Sequence, residues 1–193
     1  NSWGSSTDDK DGGQQLDWFL PAVDAWVAAG MIPVFAIGND GPGCGTAGAP
    51  GTFAKVIGVG SVGASACLSR FSSHGPGPLY QSPAYSADKP DIVAPGEGIF
   101  SASNKGSGVV AMSGTSMACP HVAGVVALML SLKPELEVEQ VKLILKSTSG
   151  TAILKRPKDG QQVCKAVPWD DFPHSLHYGA GLVDALKALQ SLQ

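Results

Sequence analysis

At 193 residues the chain is long enough for one domain with a substantial core, and 44% hydrophobic against 15% charged residues suits a packed globular protein. A net charge of −3, with 13 Lys and Arg scattered along the chain, excludes the basic stripe of a nucleic-acid binder and the polybasic patch of a membrane-surface protein. The longest nearly apolar run, residues 122–130, is too short to span a bilayer.

In chain order, Asn1-Ser-Trp-Gly4 opens the sequence and the polar run 5–15 reads as a solvated loop. Leu16, Phe19, Leu20, Val23, Trp26 and Val27 recur at i, i+3, i+4, i+7, i+10 and i+11, one face of an amphipathic helix stopped by Gly30. Residues 32–37 (Ile-Pro-Val-Phe-Ala-Ile) are a short apolar run between glycines, as expected of a strand buried on both faces, with Pro33 near its start. The loop Gly38-Asn-Asp-Gly-Pro-Gly-Cys-Gly45 follows at that strand's C-terminal end, where open α/β sheets collect ligand-binding groups. Further strands are predicted at 55–60, 90–95, 99–102 and 109–112. From Thr115 the pattern turns helical, with Val122, Val125, Val126, Met129 and Leu130 on one face. Val138, Val141, Ile144 and Leu145 mark another helix, residues 150–173 with the Lys155-Arg-Pro-Lys158 cluster a surface excursion, and 178–189 a Gly-rich turn with a terminal helix. This alternation implies an α/β fold, a three-layer sandwich on a mainly parallel sheet. No internal repeat or inter-domain linker is visible, so residues 1–193 read as one unit.

Four cysteines (Cys44, Cys67, Cys119, Cys164) fit no metal-ligand spacing, and neither a metal nor a cofactor is expected. Cys119, among small residues, reads as a buried free thiol, and a Cys44–Cys67 disulfide is left open.

The chemistry concentrates at Ser116. A strand that turns through Gly114 into a helix leaves this serine among free backbone N–H groups at the positive end of the helix. A hydroxyl placed there can attack a carbonyl while those N–H groups receive the oxyanion, although a plain helix cap would use the same residues. The context decides between them. Gly114-Thr-Ser-Met-Ala-Cys-Pro-His-Val-Ala-Gly124 resembles the nucleophile segment of the subtilisin-like serine proteases, or subtilases. Asn1-Ser-Trp-Gly4 resembles the family's substrate-pairing segment and one wall of its S1 pocket. The stretch Val34-Phe-Ala-Ile-Gly-Asn-Asp-Gly-Pro-Gly43 resembles the other wall. Ser72-Ser-His-Gly-Pro76 and Pro90-Asp-Ile-Val-Ala-Pro-Gly96 are similar to its structural loops. Trp26–Phe35 and Gly41–Thr46 look most like the bacillopeptidase F group.

The resemblance implies a serine endopeptidase with Ser116 as nucleophile and Asn39 in the oxyanion hole. It places the S1 walls at Ser2, Trp3, Gly4 and Ala36, Ile37, Gly38, the floor at Gly48 and a rim charge at Asp40. Asn39 also fits a turn residue beside Gly38. It implies extracellular localisation, a polypeptide substrate, and a propeptide or inhibitor as further partner. In subtilases the Asp and His of the triad precede the Ser-Trp-Gly stretch, and none of the four histidines here matches the His motif. His121 is a non-catalytic position, and His74, His174 and His177 read as surface or hydrogen-bonding residues. The chain is therefore expected to be the C-terminal portion of a peptidase domain, inactive and marginally stable without an N-terminal half carrying Asp and His. The alternative, from another class, is a non-catalytic fragment or pseudoenzyme that binds peptides. An α/β-hydrolase esterase is disfavoured, since no Gly-x-Ser-x-Gly elbow with downstream Asp and His is present.

Overall fold

Side chains on a strand point alternately to the two faces of a sheet, so a strand covered by helices on both sides must be apolar throughout. Three short strands meet that condition: β1 (Val34–Ala36), β2 (Ile57–Val62) and β3 (Ile92–Pro95). A computed structural model, which describes residues 1–5, 17–76, 83–86, 88–151, 154 and 176–193, pairs them in parallel in the order β1-β2-β3. Val34 lies opposite Ile57 and Val59 opposite Ile92. The strands expected at 32–37, 55–60 and 90–95 are thus present, with Pro33 just before β1, where its missing N–H costs no ladder bond.

The layers follow from the alternation. Val34, Ala36, Ile57, Val59, Ile92 and Ala94 pack on Ala118, Cys119, Val122, Val125, Val126 and Met129 of α2 (Thr115–Leu132). Behind α2 lie α3 (Val138–Thr148) and α4 (Ala185–Gln190). On the opposite face Phe35 packs with Val23 of α1 (Leu20–Ala28), Phe53 and Val56. The result is the expected three-layer α/β sandwich. The first predicted helix is shorter than its periodicity: a 3-10 turn, Asp17–Phe19, precedes α1, Gly30 follows at φ +77°, and Leu16 lies outside the described residues. α3 opens with a capping box of Glu137 and Gln140, and α4 with Asp184 accepting from the Lys187 N–H.

Two predicted strands take a different place. β4 (Ile99–Ala102) and β5 (Val109–Met112) form a separate antiparallel hairpin, exposed along nearly its whole length. The strand leading to Ser116 is therefore an arm beside the sheet rather than a member of it. α2 itself, 18 residues at mean hydropathy 1.6, is apolar and long enough to cross a bilayer, yet its buried stripe is seated on the sheet.

Cys119 is a buried free thiol, as expected. Cys67 is free while Cys44 is disulfide-bonded, so those two do not pair with each other. The Lys155–Lys158 cluster, His174, Cys164, and most of the 5–15 loop and of 150–173 lie outside the described residues.

Candidate active site

β1 ends at the Gly38–Gly45 loop, and Gly114 ends the hairpin arm just before α2. These two chain ends meet through Asn39. Its Oδ1 accepts from the Thr115 N–H at 2.9 Å and from the Thr115 hydroxyl at 2.9 Å. With the carbonyl side of the amide so occupied, Nδ2 is the end left to donate. A point 3.6 Å from Asn39 Nδ2 and 3.6 Å from the Ser116 backbone nitrogen lies beside Gly114, where a β-carbon would stand. Two donor nitrogens thus lie near one another at the first turn of α2, where the helix dipole adds positive potential.

The loop that carries Asn39 is held from behind. Gly38 has φ +115°, and a β-carbon there would lie 2.8 Å from Ser73 Oγ, so only glycine fits without a shift. Ser73 donates its N–H to Gly38 O and accepts from the Asp40 N–H at 2.9 Å, so one serine brackets Asn39 on both sides. Gly41 donates to Phe71 O, and a β-carbon on it would run into the Ser72 carbonyl. His74 O accepts from the Thr46 and Ala47 amides. Segment 71–74 is a splint for the whole loop. The Asp40 side chain is exposed beside it.

Ser116 faces the opening of the chain. Its hydroxyl donates to Ser2 O at 3.0 Å, and Ser2 Oγ donates to Ser116 O at 2.8 Å. Asn1 pairs along the edge of β1, its N-terminal amine donating to Val34 O and its carbonyl accepting from the Ala36 N–H. This brings Ser2-Trp3-Gly4 alongside Ala36-Ile37-Gly38. Trp3 packs edge-on against Phe19 and Phe35, which fixes the indole while leaving half of it exposed. Gly48 donates to Ile37 O and lies against Ser5, whose carbonyl occupies the place of a Gly48 side chain. The space at Gly48 is thus shaped by main chain, a tighter surface than the open floor its lack of a side chain suggests.

The histidines separate cleanly. His121 is exposed with Nδ1 on Met117 O, one turn back along α2. His74 and His177 are not surface residues: both are wholly buried, their rings 4.7 Å apart. Burial holds the His74 imidazole below its ordinary pKa against a hydrogen bond to Ser72 O that works the other way. The Ser116 hydroxyl therefore meets the Ser2 carbonyl, and among the described residues none of the three histidines hydrogen-bonds to it. Among the described residues no group of three or more His, Cys, Asp and Glu is arranged to hold a metal.

Sequence reading missed a buried charge cluster under β3. Lys89, fully buried, donates to Val56 O and pairs with Asp91, which also takes the Gly58 N–H and an ion pair from Lys146 at 2.8 Å. Desolvation pushes the Lys89 ammonium down to about 8 despite Asp91 beside it. Desolvation would raise the Asp91 carboxyl, and Lys89, Lys142 and Lys146 together outweigh it and hold the group well below the usual carboxylate range. The only sequence signal was a Lys-Pro-Asp triplet leading into an apolar run.

A serine at a helix N-terminus, with an amide side chain tied to the same turn, on a parallel α/β sandwich, is the architecture of the subtilisin-like fold. The chain belongs to the subtilase family: the family model "Subtilase family" (Peptidase_S8) matches residues 1–181. It is 34% identical to serine protease AprX of Bacillus subtilis over 89% of this chain and 38% of that protein. It is also 34% identical to bacillopeptidase F of the same organism, over 100% of this chain and 12% of that protein. The fold is that of sphericase, with a TM-score of 0.73 and 25% identity over 94% of this chain and 55% of that one. A protease of Pseudoalteromonas arctica matches with a TM-score of 0.71 and 26% identity, over 99% and 50%. The chain spans well under two thirds of each.

Proposed function

We propose that the chain is the C-terminal portion of a subtilisin-type serine endopeptidase domain. Ser116 Oγ attacks the scissile carbonyl of a polypeptide, and Asn39 Nδ2 and the Ser116 N–H hold the oxyanion. The observation that carries this reading is the nearness of those two nitrogens, each 3.6 Å from one point beside Gly114, at the N-terminus that presents Ser116. Ser2-Trp3-Gly4 and Ala36-Ile37-Gly38 form the S1 walls, Gly48 the floor, and Asp40 a charge at the rim. A propeptide or inhibitor would lie in the same groove, and extracellular action is the localisation that the family resemblance supports.

Among the described residues no base stands at the Ser116 hydroxyl. A serine hydroxyl keeps a pKa far above neutrality unless an imidazole accepts its proton, and here the proton is directed at Ser2 O. The Asp and His would come from a preceding segment that packs over Ser116. The loss of an oxyanion-hole Asn costs about 3–4 kcal/mol in subtilisin itself, from which the expectation for Asn39→Ala is borrowed.

The test is labelling by a fluorophosphonate. Ser116 is expected to react when the chain is combined with an N-terminal subtilase segment carrying Asp and His, and to be inert alone or as Ser116→Ala. Labelling that persists in Ser116→Ala would end the assignment. The parking of Ser116 on Ser2 also favours a second reading, a peptide-binding fragment without turnover. Saturable peptide binding with no labelling in the combined protein would select it.

A further inference from the structure

Pro120 lies inside α2, one turn beyond Ser116. In an α-helix the carbonyl of residue i takes the N–H of residue i+4, and proline has none to give. The carbonyl of Ser116 is therefore left without its helical donor. The structure fills the vacancy from outside the helix: Ser2 Oγ donates to Ser116 O at 2.8 Å. The favour is returned at 3.0 Å by Ser116 Oγ to Ser2 O. Two residues far apart in sequence are thus joined by a reciprocal pair of bonds. Pro120 itself is exposed, so its ring fills no gap in the core. Its structural effect is the missing donor.

We infer that Ser2 is a positioning residue, whose hydroxyl supplies the donor that Pro120 removes and so sets the first turn of α2 against the Ser2-Trp3-Gly4 edge. Both bonds are open to solvent. Water can satisfy the same atoms when the latch is lost, so the penalty falls on the position of Ser116 more than on stability. A fixed distance between nucleophile and substrate-pairing edge is what a near-attack geometry requires. The catalytic consequence rests on the peptidase reading above, and the latch does not.

The experiment is a double-mutant cycle with a reporter on the carbonyl. Ser116–Met117 is the one Ser–Met pair in the sequence, so carbonyl-13C serine with 15N methionine yields a single carbonyl-to-amide correlation. Ser2→Ala should displace that signal, and Ser2→Thr, which keeps the hydroxyl, should not. In a Pro120→Ala background, where residue 120 regains its N–H, the displacement by Ser2→Ala should shrink severalfold. Equal displacement in both backgrounds, or none in either, overturns the inference. On the full-length protein, Ser2→Ala should lower kcat roughly tenfold with KM within about twofold, and Pro120→Ala should restore much of it. A raised KM with unchanged kcat would make Ser2 a groove wall only. An inert full-length wild type would sink the peptidase reading, leaving the carbonyl cycle to decide the latch.

Discussion

β2 and β5 are both short apolar strands, and they have opposite fates. Every residue of Ile57–Val62 is buried, between α2 on one face and the Val62–Val93–Tyr178 cluster and its neighbours on the other. Every residue of Val109–Met112 is exposed, and on its partner strand Phe100 is 76% exposed. The outer side of α2 continues the contrast, since Leu128 and Leu132 face solvent while Val125, Val126 and Met129 are buried. A strand or helix apolar on all sides is built to be covered on all sides. The difference teaches that hydrophobic pattern records the environment a segment is made for, and burial in this chain records how much of that environment is present.

If that contrast is sound, the largest effects belong beneath the sheet. Asp91→Ala strips Lys89 of its partner inside the core and should cost roughly 3–5 kcal/mol, read as a lowered urea midpoint at unchanged slope. Met129→Ala should cost about 2–5 kcal/mol through the cavity it leaves. Its neighbour Leu128→Ala should stay within about 0.5 kcal/mol. Comparable losses for the two would erase the distinction between the faces of α2.

A pH titration sharpens the interior side. His74 has a lowered pKa in the folded chain, so the unfolded chain binds its proton first as pH falls. His74 thus favours the fold above the ordinary imidazole range. That contribution is lost as pH drops through about 6.5 and stops changing below the folded value. His74→Gln should flatten this part of the stability profile, and an unaltered slope would refute the assignment. The smallest expected effect lies on the hairpin. Phe100→Ser should leave unfolding free energy within about 0.5 kcal/mol while reducing self-association in sedimentation velocity.

Much of this organisation was legible in the sequence. The junction at Val109–Met112 and Thr115 was read to the residue because a Ser-Gly pair separates a short, wholly apolar run from one with helical period. The parallel core strands were readable from their unbroken apolar runs, though their ends moved by one or two residues. The separate hairpin was not, because periodicity does not say which neighbour a strand chooses. Lys89–Asp91 and His74–His177 were hidden for another reason. Charged and imidazole side chains signal surface by type, and only tertiary partners reveal them as buried. At the site, Asn39 and Ser116 were singled out through a motif, whereas the pairing of the Ser2 hydroxyl with the carbonyl that Pro120 leaves open emerges only when residue 2 meets the start of α2.

The splint behind Asn39 bears on how such a site could be moved. Gly38 and Gly41 fit so closely against Ser73 and the Ser72 carbonyl that neither has room for a side chain. A transplant of residues 38–48 into another scaffold would therefore arrive without its mould unless residues 71–74 travelled with it. The same interlock makes the two segments a single unit of recombination. Chimeras that cut between them should fold with a misplaced Asn39, whereas crossovers on either side of the pair should be tolerated.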